Sequence, residues 1–207
     1  MAAGDYRTPP SLVCQYMIDT GLSLYHEAFF QGGGGMLGPL GFGGGSESRP
    51  GPFLSAGKYD NENKSEIHPA WADHPHYDDY WALEDSTQHI SKMNVPCCTI
   101  GSWYDYMCQG SVASFVGRQR LGAAGSIGRQ TLICGPWLHG GDKRTSIGEL
   151  ELPSQAAFPY EGGMAEHMAA YFKHHMYGTP PPTLVGTDGG SAAVSYYVGT
   201  QAAFIKR

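Results

Sequence analysis

Two short apolar runs, each followed by a loop, constrain the fold of this chain more than any other feature. Residues 95–101 and 131–135 are continuous apolar stretches with the length of buried strands. A helix is predicted between them over residues 111–120. Strand, helix and strand in this order favour an α/β fold with an open parallel sheet, whose strands are buried on both faces.

The loop after each predicted strand carries one ionisable side chain beside a tryptophan. Asp105 ends the sequence GSWYD, and His139 stands in the sequence GPWLHGG. Functional residues of parallel sheets lie on the loops at the carboxyl ends of the strands. The two side chains stand 34 positions apart, which is the length of one strand–helix–strand unit, and its right-handed crossover places the strands close together. We therefore expect Asp105 and His139 to meet.

An acid beside an imidazole is the arrangement that orients a catalytic base. A carboxylate that accepts the Nδ1–H fixes the tautomer of the ring and stabilises the imidazolium that forms when Nε2 takes a proton. Neighbouring aromatic rings exclude water and strengthen this pairing. On spacing alone, however, an isolated Asp and an isolated His on loops are structural more often than catalytic. Both interpretations stay open at this point.

Further elements are predicted outside this unit. One helix is expected over residues 10–31 and another over residues 163–176, ended by Gly178. A short helix is expected through residues 82–84, and a third strand over residues 194–198. Strands and helices thus alternate through the middle of the chain, as in a parallel α/β sheet.

The overall composition excludes several classes of function. The net charge of -6 and the isoelectric point near 5.8 leave no basic footprint for nucleic acid. No run of apolar residues is long enough to predict a membrane span. The first residues do not form a secretory signal, which bears on the compartment only if Met1 is the true start. The localisation therefore stays open.

The cysteines, glycines and histidines predict no cofactor or metal site. The five cysteines are odd in number and form no C-x-x-C pair, so buried free thiols are expected. The glycine-rich tract at residues 32–45 satisfies G-x-G-x-x-G formally but follows no predicted strand, which favours a mobile loop. His167, His174 and His175 share one predicted helix and lack a convergent third ligand. We interpret them as packed or solvated.

Five sequence blocks occur in order over residues 74–178. They are HYDDYW at 76–81, VP at 95–96 followed by GSWYD at 101–105, GPWLHG at 135–140, IGEL at 147–150, and YFKHHMYG at 171–178. With these blocks the chain resembles the cocaine esterase and X-prolyl dipeptidyl peptidase group of serine hydrolases, which includes the α-amino-acid ester hydrolases. Ser102, where Gly is common, and Lys173, where Asp is usual, depart from the pattern.

The resemblance implies an α/β-hydrolase fold and a role for each ionisable residue. Asp105 matches the triad acid, and His139 matches the triad base. Residues 1–90 then correspond to a partial helical cap with a Gly-rich loop. Residues 91–178 correspond to the C-terminal half of the hydrolase sheet, and residues 179–207 to the start of a β jelly-roll domain. The implied partner is a small-molecule ester or peptide substrate, without a nucleic acid or membrane partner.

The nucleophilic serine of such an enzyme is not found in the sequence. It belongs on a strand-to-helix elbow with the pattern G-x-S-x-x-G, upstream of the cap. Ser46 and Ser126 follow glycines but lack this strand–turn–helix context. We therefore expect a fragment without the N-terminal half, truncated at both ends and inactive alone. The alternative is a non-catalytic remnant or a partner-binding protein, and the oligomeric state stays open.

The sequence favours apolar acyl groups without resolving the substrate. In the α-amino-acid ester hydrolases that the chain resembles, acidic residues two and three positions after the triad Asp bind the substrate ammonium. Met107 and Cys108 stand there in this chain, which argues against amino esters. Esterase activity is slightly favoured over dipeptidyl peptidase activity.

Overall fold

The computed structural model describes residues 12–23, 25–29, 74, 76–83, 85–140, 146–184, 193–201 and 203–206. The chain divides into two compact units. One comprises residues 1–4 and 23–85, and the other comprises residues 5–22 and 86–207. The second unit contains all the strands and both long helices, and it is the unit that carries the site.

Seven strands and three α-helices make up the regular structure of the described residues. The strands are β1 (Gln15–Ile18), β2 (Cys97–Ser102), β3 (Gln130–Gly135), β4 (Ser146–Ile147), β5 (Leu150–Glu151), β6 (Ala193–Val198) and β7 (Ala203–Lys206). The helices are α1 (Asp79–Ala82), α2 (Cys108–Leu121) and α3 (Gly163–Tyr177). Short 3₁₀ helices lie at Ser86–Lys92, Ser154–Ala156 and Gly199–Gln201, and a wide helical turn at Tyr25–Phe29.

Five of the strands form one mixed sheet in the order β1-β2-β3-β6-β7. The pairs β1–β2, β2–β3 and β3–β6 are parallel, and β7 runs antiparallel to β6. The predicted strands at 95–101 and 131–135 are confirmed as the neighbours β2 and β3. Strands β4 and β5 form a separate antiparallel pair. The α/β class and the parallel central sheet are therefore confirmed.

Both faces of the central strands are covered, which explains why β2 and β3 carry apolar side chains on both faces. On one face, Ile100 and Ile133 pack with Trp137 and with Tyr171 of α3. On the other face, Leu132 and Cys134 of β3 pack against Phe115 of α2. Every residue of β2 and of β3 is buried. Apolar residues on both sides of a strand are what a parallel sheet between helix layers requires.

Two of the three long helices predicted from the sequence are confirmed. The helix expected over residues 111–120 is α2, and the helix expected over residues 163–176 is α3. Gly178 ends α3 in the left-handed conformation, with φ 70°, and its N–H bonds to the carbonyl of His174. In the described part of the chain, no helix has the length and apolar character needed to cross a membrane.

The helix expected over residues 10–31 is wrong. Its described part contains β1, followed by the short turn at Tyr25–Phe29. The ladder of β1 extends at both ends, because Gln15 N donates to the Pro96 carbonyl at 2.9 Å and Asp19 N donates to the Ile100 carbonyl at 2.9 Å. Pairing with a distant buried strand overrides the local pattern that favours a helix.

The last two strands, β6 and β7, lie in the same sheet as β1, β2 and β3. Residues 179–207 are expected from the sequence to begin a separate β-sandwich domain. In the structure, β6 pairs with β3 and β7 pairs with β6, so these strands continue the α/β sheet. The three-domain division itself stays a prediction.

The described residues of the first unit form a small aromatic cluster. Trp81 of α1 is buried, and its ring packs against Tyr25 with centroids 5.3 Å apart. The side chain of Asp78 caps α1 by accepting the N–H groups of Tyr80 and Trp81. The Tyr77 hydroxyl donates to Asp85 at 2.7 Å. These contacts confirm the short helix near residue 82 and give the HYDDYW block a structural role.

Candidate active site

Three neighbouring parallel strands each deliver one ionisable side chain to the same edge of the sheet. Asp19 directly follows β1, Asp105 follows β2 and His139 follows β3. One carboxylate oxygen of each aspartate and one ring nitrogen of His139 all lie within 4.8 Å of one another. The carboxyl ends of parallel strands meet at one edge, so strand order alone brings the three residues together.

Asp105 and His139 form the pair that the sequence predicts. His139 Nδ1 lies 2.8 Å from Asp105 Oδ2. The second oxygen, Oδ1, accepts the backbone N–H of Met107 at 2.9 Å. The Asp105 side chain is 0% exposed and the His139 side chain is 53% exposed. The acid is thus fixed and desolvated, whereas the imidazole reaches solvent.

Backbone hydrogen bonds join the two loops beyond the ends of their strands. Trp103 N donates to the Gly135 carbonyl at 2.9 Å, and Tyr104 N donates to the Trp137 carbonyl at 3.0 Å. The ladder between β2 and β3 therefore continues into the segments that lead to Asp105 and His139. This continuation fixes the relative height of the acid and the imidazole.

Trp137 anchors the loop that carries His139. Its ring is fully buried, stacks on Phe158 at 5.6 Å, and donates from Nε1 to the Ala156 carbonyl at 2.6 Å. Gly135 gives this ring its place, because a Cβ there would lie 2.3 Å from a carbon of the indole. The glycine and the tryptophan of GPWLHG are therefore coupled by packing.

Tyr106 covers the imidazole on the side of the Asp105 loop. Its ring stacks on that of His139 with centroids 5.5 Å apart and an interplanar angle of 19°. Burial raises the pKa of the Tyr106 hydroxyl, and the charges of Asp105 and Asp19 add to the rise. The phenol therefore stays neutral at physiological pH and presents an uncharged face to His139.

Asp19 is the site residue that the sequence does not predict. It is 5% exposed and has a φ of 43°. Its Oδ2 accepts the backbone N–H of Gly140 at 2.7 Å, and its buried Oδ1 accepts no hydrogen bond of ordinary length and angle. A usable signal exists in the sequence, because residues 13–18 are mostly apolar and are followed by Asp-Thr-Gly at 19–21, as a strand is followed by its loop.

The environment of Asp19 disfavours its charged form. Burial raises the pKa of its carboxyl, and the negative charge of Asp105 raises it further. Three neighbouring groups lower this pKa without cancelling the rise: the Gly140 N–H, the Ser102 hydroxyl and His139.

Asp19, Asp105 and His139 offer two carboxylates and one imidazole, a donor set that a divalent cation accepts. In the structure, however, both oxygens of Asp105 and Nδ1 of His139 are already engaged with protein groups. A metal at this place would have to displace the Asp105–His139 contact. The arrangement fits an acid–base pair better than a metal centre.

Other residues singled out from the sequence lie apart from this edge. Ser126 is fully buried in the turn before β3 and accepts from Gln130 Nε2 at 2.9 Å, so it is a packing residue. His167 bonds to the Tyr16 hydroxyl at 2.8 Å, and His174 bonds to the Thr179 carbonyl at 2.6 Å. Ser46 and the glycine-rich tract at 32–45 fall outside the described residues.

Comparison with solved structures shows similarity of limited extent. The chain is 18% identical to an aminopeptidase from the marine sediment archaeon Thaumarchaeota archaeon, with a TM-score of 0.49, 74% of this chain covered and 25% of the other. It is 17% identical to a selenomethionine-labelled α-amino-acid ester hydrolase, with a TM-score of 0.44, 68% of this chain covered and 22% of the other. It is 19% identical to a CocE/NonD family hydrolase from Staphylococcus aureus, with a TM-score of 0.43, 84% of this chain covered and 26% of the other. The chain thus spans about a quarter of the length of these proteins.

Comparison at the level of sequence families is decisive. No curated protein matches the chain significantly. The family model described as X-Pro dipeptidyl-peptidase (S15 family) matches residues 4–141. The match covers about two thirds of the chain and contains Asp19, Asp105 and His139. The chain belongs to the X-Pro dipeptidyl-peptidase (S15) family.

Proposed function

We propose that this chain supplies the acid and the base of a serine hydrolase that cleaves carboxylic ester or amide bonds. The observation that carries the proposal is the contact of 2.8 Å between a fully buried carboxylate, Asp105, and a half-exposed imidazole, His139. With Nδ1 held by Asp105, Nε2 is the ring nitrogen that receives a proton. Family membership supports the same chemistry.

The proposed reaction proceeds through an acyl-serine intermediate. As the serine Oγ attacks the substrate carbonyl, His139 Nε2 takes the hydroxyl proton, and Asp105 stabilises the resulting imidazolium. His139 then gives this proton to the leaving alcohol or amine as the carbonyl–heteroatom bond breaks. In the second half, His139 takes a proton from water, the hydroxide attacks the acyl-serine, and the proton returns to the serine oxygen.

The serine and the oxyanion hole of this mechanism come from a segment other than the described residues. Ser126 is excluded as the nucleophile because it is fully buried and bonded to Gln130. Loss of a triad member costs on the order of 10⁴–10⁶ in rate. Loss of an oxyanion-hole donor costs about 10²-fold more. We therefore propose that the 207-residue chain alone is inactive.

Among substrates, we propose esters with apolar acyl groups ahead of peptides. Met107 is buried beside Asp105, and its N–H bonds to the carboxylate rather than to a ligand. Cys108 begins α2 and is uncharged as a thiol, since burial raises its pKa. Neither residue offers a carboxylate for a substrate ammonium, so the site lacks charge selection at these two positions.

Two experiments test the proposal. The 207-residue chain is treated with a fluorophosphonate probe and its intact mass is measured; no adduct is expected, and a stoichiometric adduct would reveal a nucleophilic serine within it. The coding sequence is then read upstream in frame, where a G-x-S-x-x-G elbow is expected. Its absence would favour the alternative of a non-catalytic or partner-binding protein.

If the elbow is found, the extended chain is assayed with p-nitrophenyl butyrate. The variants His139→Gln and Asp105→Asn are expected to lower kcat/KM by about 10⁴-fold or more. Glu149→Gln is the matched control, because it removes an exposed carboxylate on the turn between β4 and β5. Equal activity in the control and in His139→Gln would refute the role of His139.

A further inference from the structure

Asp19 connects the ends of three strands through hydrogen bonds of its backbone and its side chain. Its N–H donates to the Ile100 carbonyl of β2 at 2.9 Å, which extends the ladder of β1 by one residue. Its Oδ2 accepts the N–H of Gly140 at 2.7 Å, on the loop after β3. Gly140 directly follows His139, so Asp19 reaches the backbone beside the imidazole.

Three properties of Asp19 are unfavourable for stability, and they coincide at one residue. Its carboxyl is 5% exposed, and Asp105, a second buried acid, is a neighbour. Its buried Oδ1 accepts no hydrogen bond of ordinary length and angle, although the Ser102 hydroxyl is a neighbour. Its φ of 43° lies in the left-handed region, which few residues other than Gly, Asn and Asp adopt. Such strain persists where the surrounding structure enforces it, most often at functional sites.

His139 needs an anchor on its far side, because packing alone does not fix it. Its side chain is 53% exposed, and Tyr106 stacks on only one face of the ring. Two residues before it, Trp137 ties the loop to the core. One residue after it, the Asp19–Gly140 bond ties the loop to the end of β1. His139 is thus held between a buried indole and a buried carboxylate.

We propose that Asp19 is a positioning residue whose bond to the Gly140 N–H keeps the His139 loop closed, so that the imidazole stays against Asp105. The inference rests on the proposed function, in which Asp105 and His139 act as acid and base. Asp19 acts through the loop and does not touch the reacting atoms. Its side chain suits this task because Oδ2 accepts the Gly140 N–H at 2.7 Å.

The Nδ1 proton of His139 provides a direct spectroscopic readout. A histidine N–H bonded to a buried carboxylate gives a strongly downfield proton resonance, whose exchange with water reports opening of the contact. The resonance is measured on the 207-residue chain and is assigned by its loss in His139→Gln. Its absence from the wild-type spectrum would overturn the proposed function itself, since the Asp105–His139 pair would then not form.

Two substitutions at Asp19 separate the hydrogen bond from the backbone conformation. Asp19→Gly removes the acceptor but accommodates φ 43°, and Asp19→Asn keeps both an acceptor and tolerance of this φ. We expect Asp19→Gly to accelerate exchange of the Nδ1 proton about fivefold or more, from loss of one hydrogen bond. Asp19→Asn is expected to restore it to within about threefold. Glu149→Gln again serves as the control and is expected to change nothing.

Distinct outcomes decide the role of Asp19 while leaving the Asp105–His139 pair intact. Equal exchange rates in the wild type and in Asp19→Gly would overturn the proposal, as would failure of Asp19→Asn to restore protection. Should Asp19→Gly not fold, the Gly140 amide of the wild-type chain decides: the proposal requires it to be protected from hydrogen exchange, and an unprotected amide overturns it. Stoichiometric Zn²⁺ binding that Asp19→Asn abolishes would also overturn it, by making Asp19 a metal ligand.

Discussion

Adding one methyl group at Gly135 tests how tightly Trp137 holds the His139 loop. In Gly135→Ala, the new Cβ would lie 2.3, 2.4 and 2.5 Å from three carbons of the Trp137 indole. These distances are about 1 Å shorter than ordinary contacts between carbon atoms. The indole cannot move aside easily, because it is fully buried, stacks on Phe158 and Phe204, and bonds to the Ala156 carbonyl.

The matched control is Gly101→Ala on the neighbouring strand. Gly101 lies one position before Ser102, the register partner of Gly135, and its Cβ would meet Cys134 Sγ and Ser111 Cβ at 3.5 Å. This is ordinary van der Waals contact. The control adds the same methyl at the same edge of the sheet, and restricting the unfolded chain should even stabilise it by about 0.4–1 kcal/mol.

The measurement is urea unfolding, followed by circular dichroism at neutral pH. Overpacking of a tightly packed site costs about 1–3 kcal/mol, so we expect Gly135→Ala to lower the free energy of unfolding by this amount or more. We expect Gly101→Ala to leave it unchanged or slightly raised. An unchanged m-value would show that the two variants unfold from comparable states. If Gly135→Ala is as stable as Gly101→Ala, the indole is not confined and the packing argument is wrong.

Two further predictions concern pH and thiol reactivity. Burial lowers the pKa of His167 from its usual 6.5 to about 4. Between these two values the unfolded chain binds more protons than the folded chain, so stability falls as the pH falls. The full loss of stability from His167 is about 3 kcal/mol. Urea titrations from pH 7 to pH 4 should therefore show a shallower fall in the free energy of unfolding for His167→Gln than for the wild type. Part of the slope remains in this variant, because the pKa of His175 is also lowered to about 4. An unaltered slope in this variant would contradict the assignment. Burial raises the pKa of Cys134 to about 12 and also raises that of Cys98. Iodoacetamide at pH 8 should therefore modify these two thiols in urea but not in the native chain. Labelling of Cys134 in the native chain would show that β3 is not buried as described.

The central part of the fold could be predicted because its signals are local. The strands β2 and β3 are short, mostly apolar segments, each with a glycine at or next to its last residue and a loop after it, and one helix lies between them. From these features follow the parallel pairing and the meeting of Asp105 with His139. The end of α3 at Gly178 is equally local, because a left-handed glycine stops a helix by its own conformation.

The strand β1 could not be predicted in the same way, because what makes it a strand is remote. It contains the polar Gln15, has only four residues, and pairs with a strand more than 80 positions away. A helix over residues 10–31 would place Asp19 away from the carboxyl ends of the strands. The sequence therefore gives no reason to expect Asp19 beside His139. A similar ambiguity affects β6, whose alternating pattern fits the α/β sheet and a β-sandwich alike.

The pairing of β1 with β2 has a consequence for synthesis on the ribosome. Gln15 is translated about 80 residues before its partner Cys97. At the usual 5–20 residues per second, β1 waits for roughly 4–16 seconds without the strand that stabilises it. The neighbours β2 and β3 emerge much closer together and are suited to nucleate the sheet, to which β1 docks afterwards. Synthesis from the N-terminus therefore favours early formation of the contact between Asp105 and His139. The hydrogen bond from Gly140 to Asp19 forms later, when β1 docks.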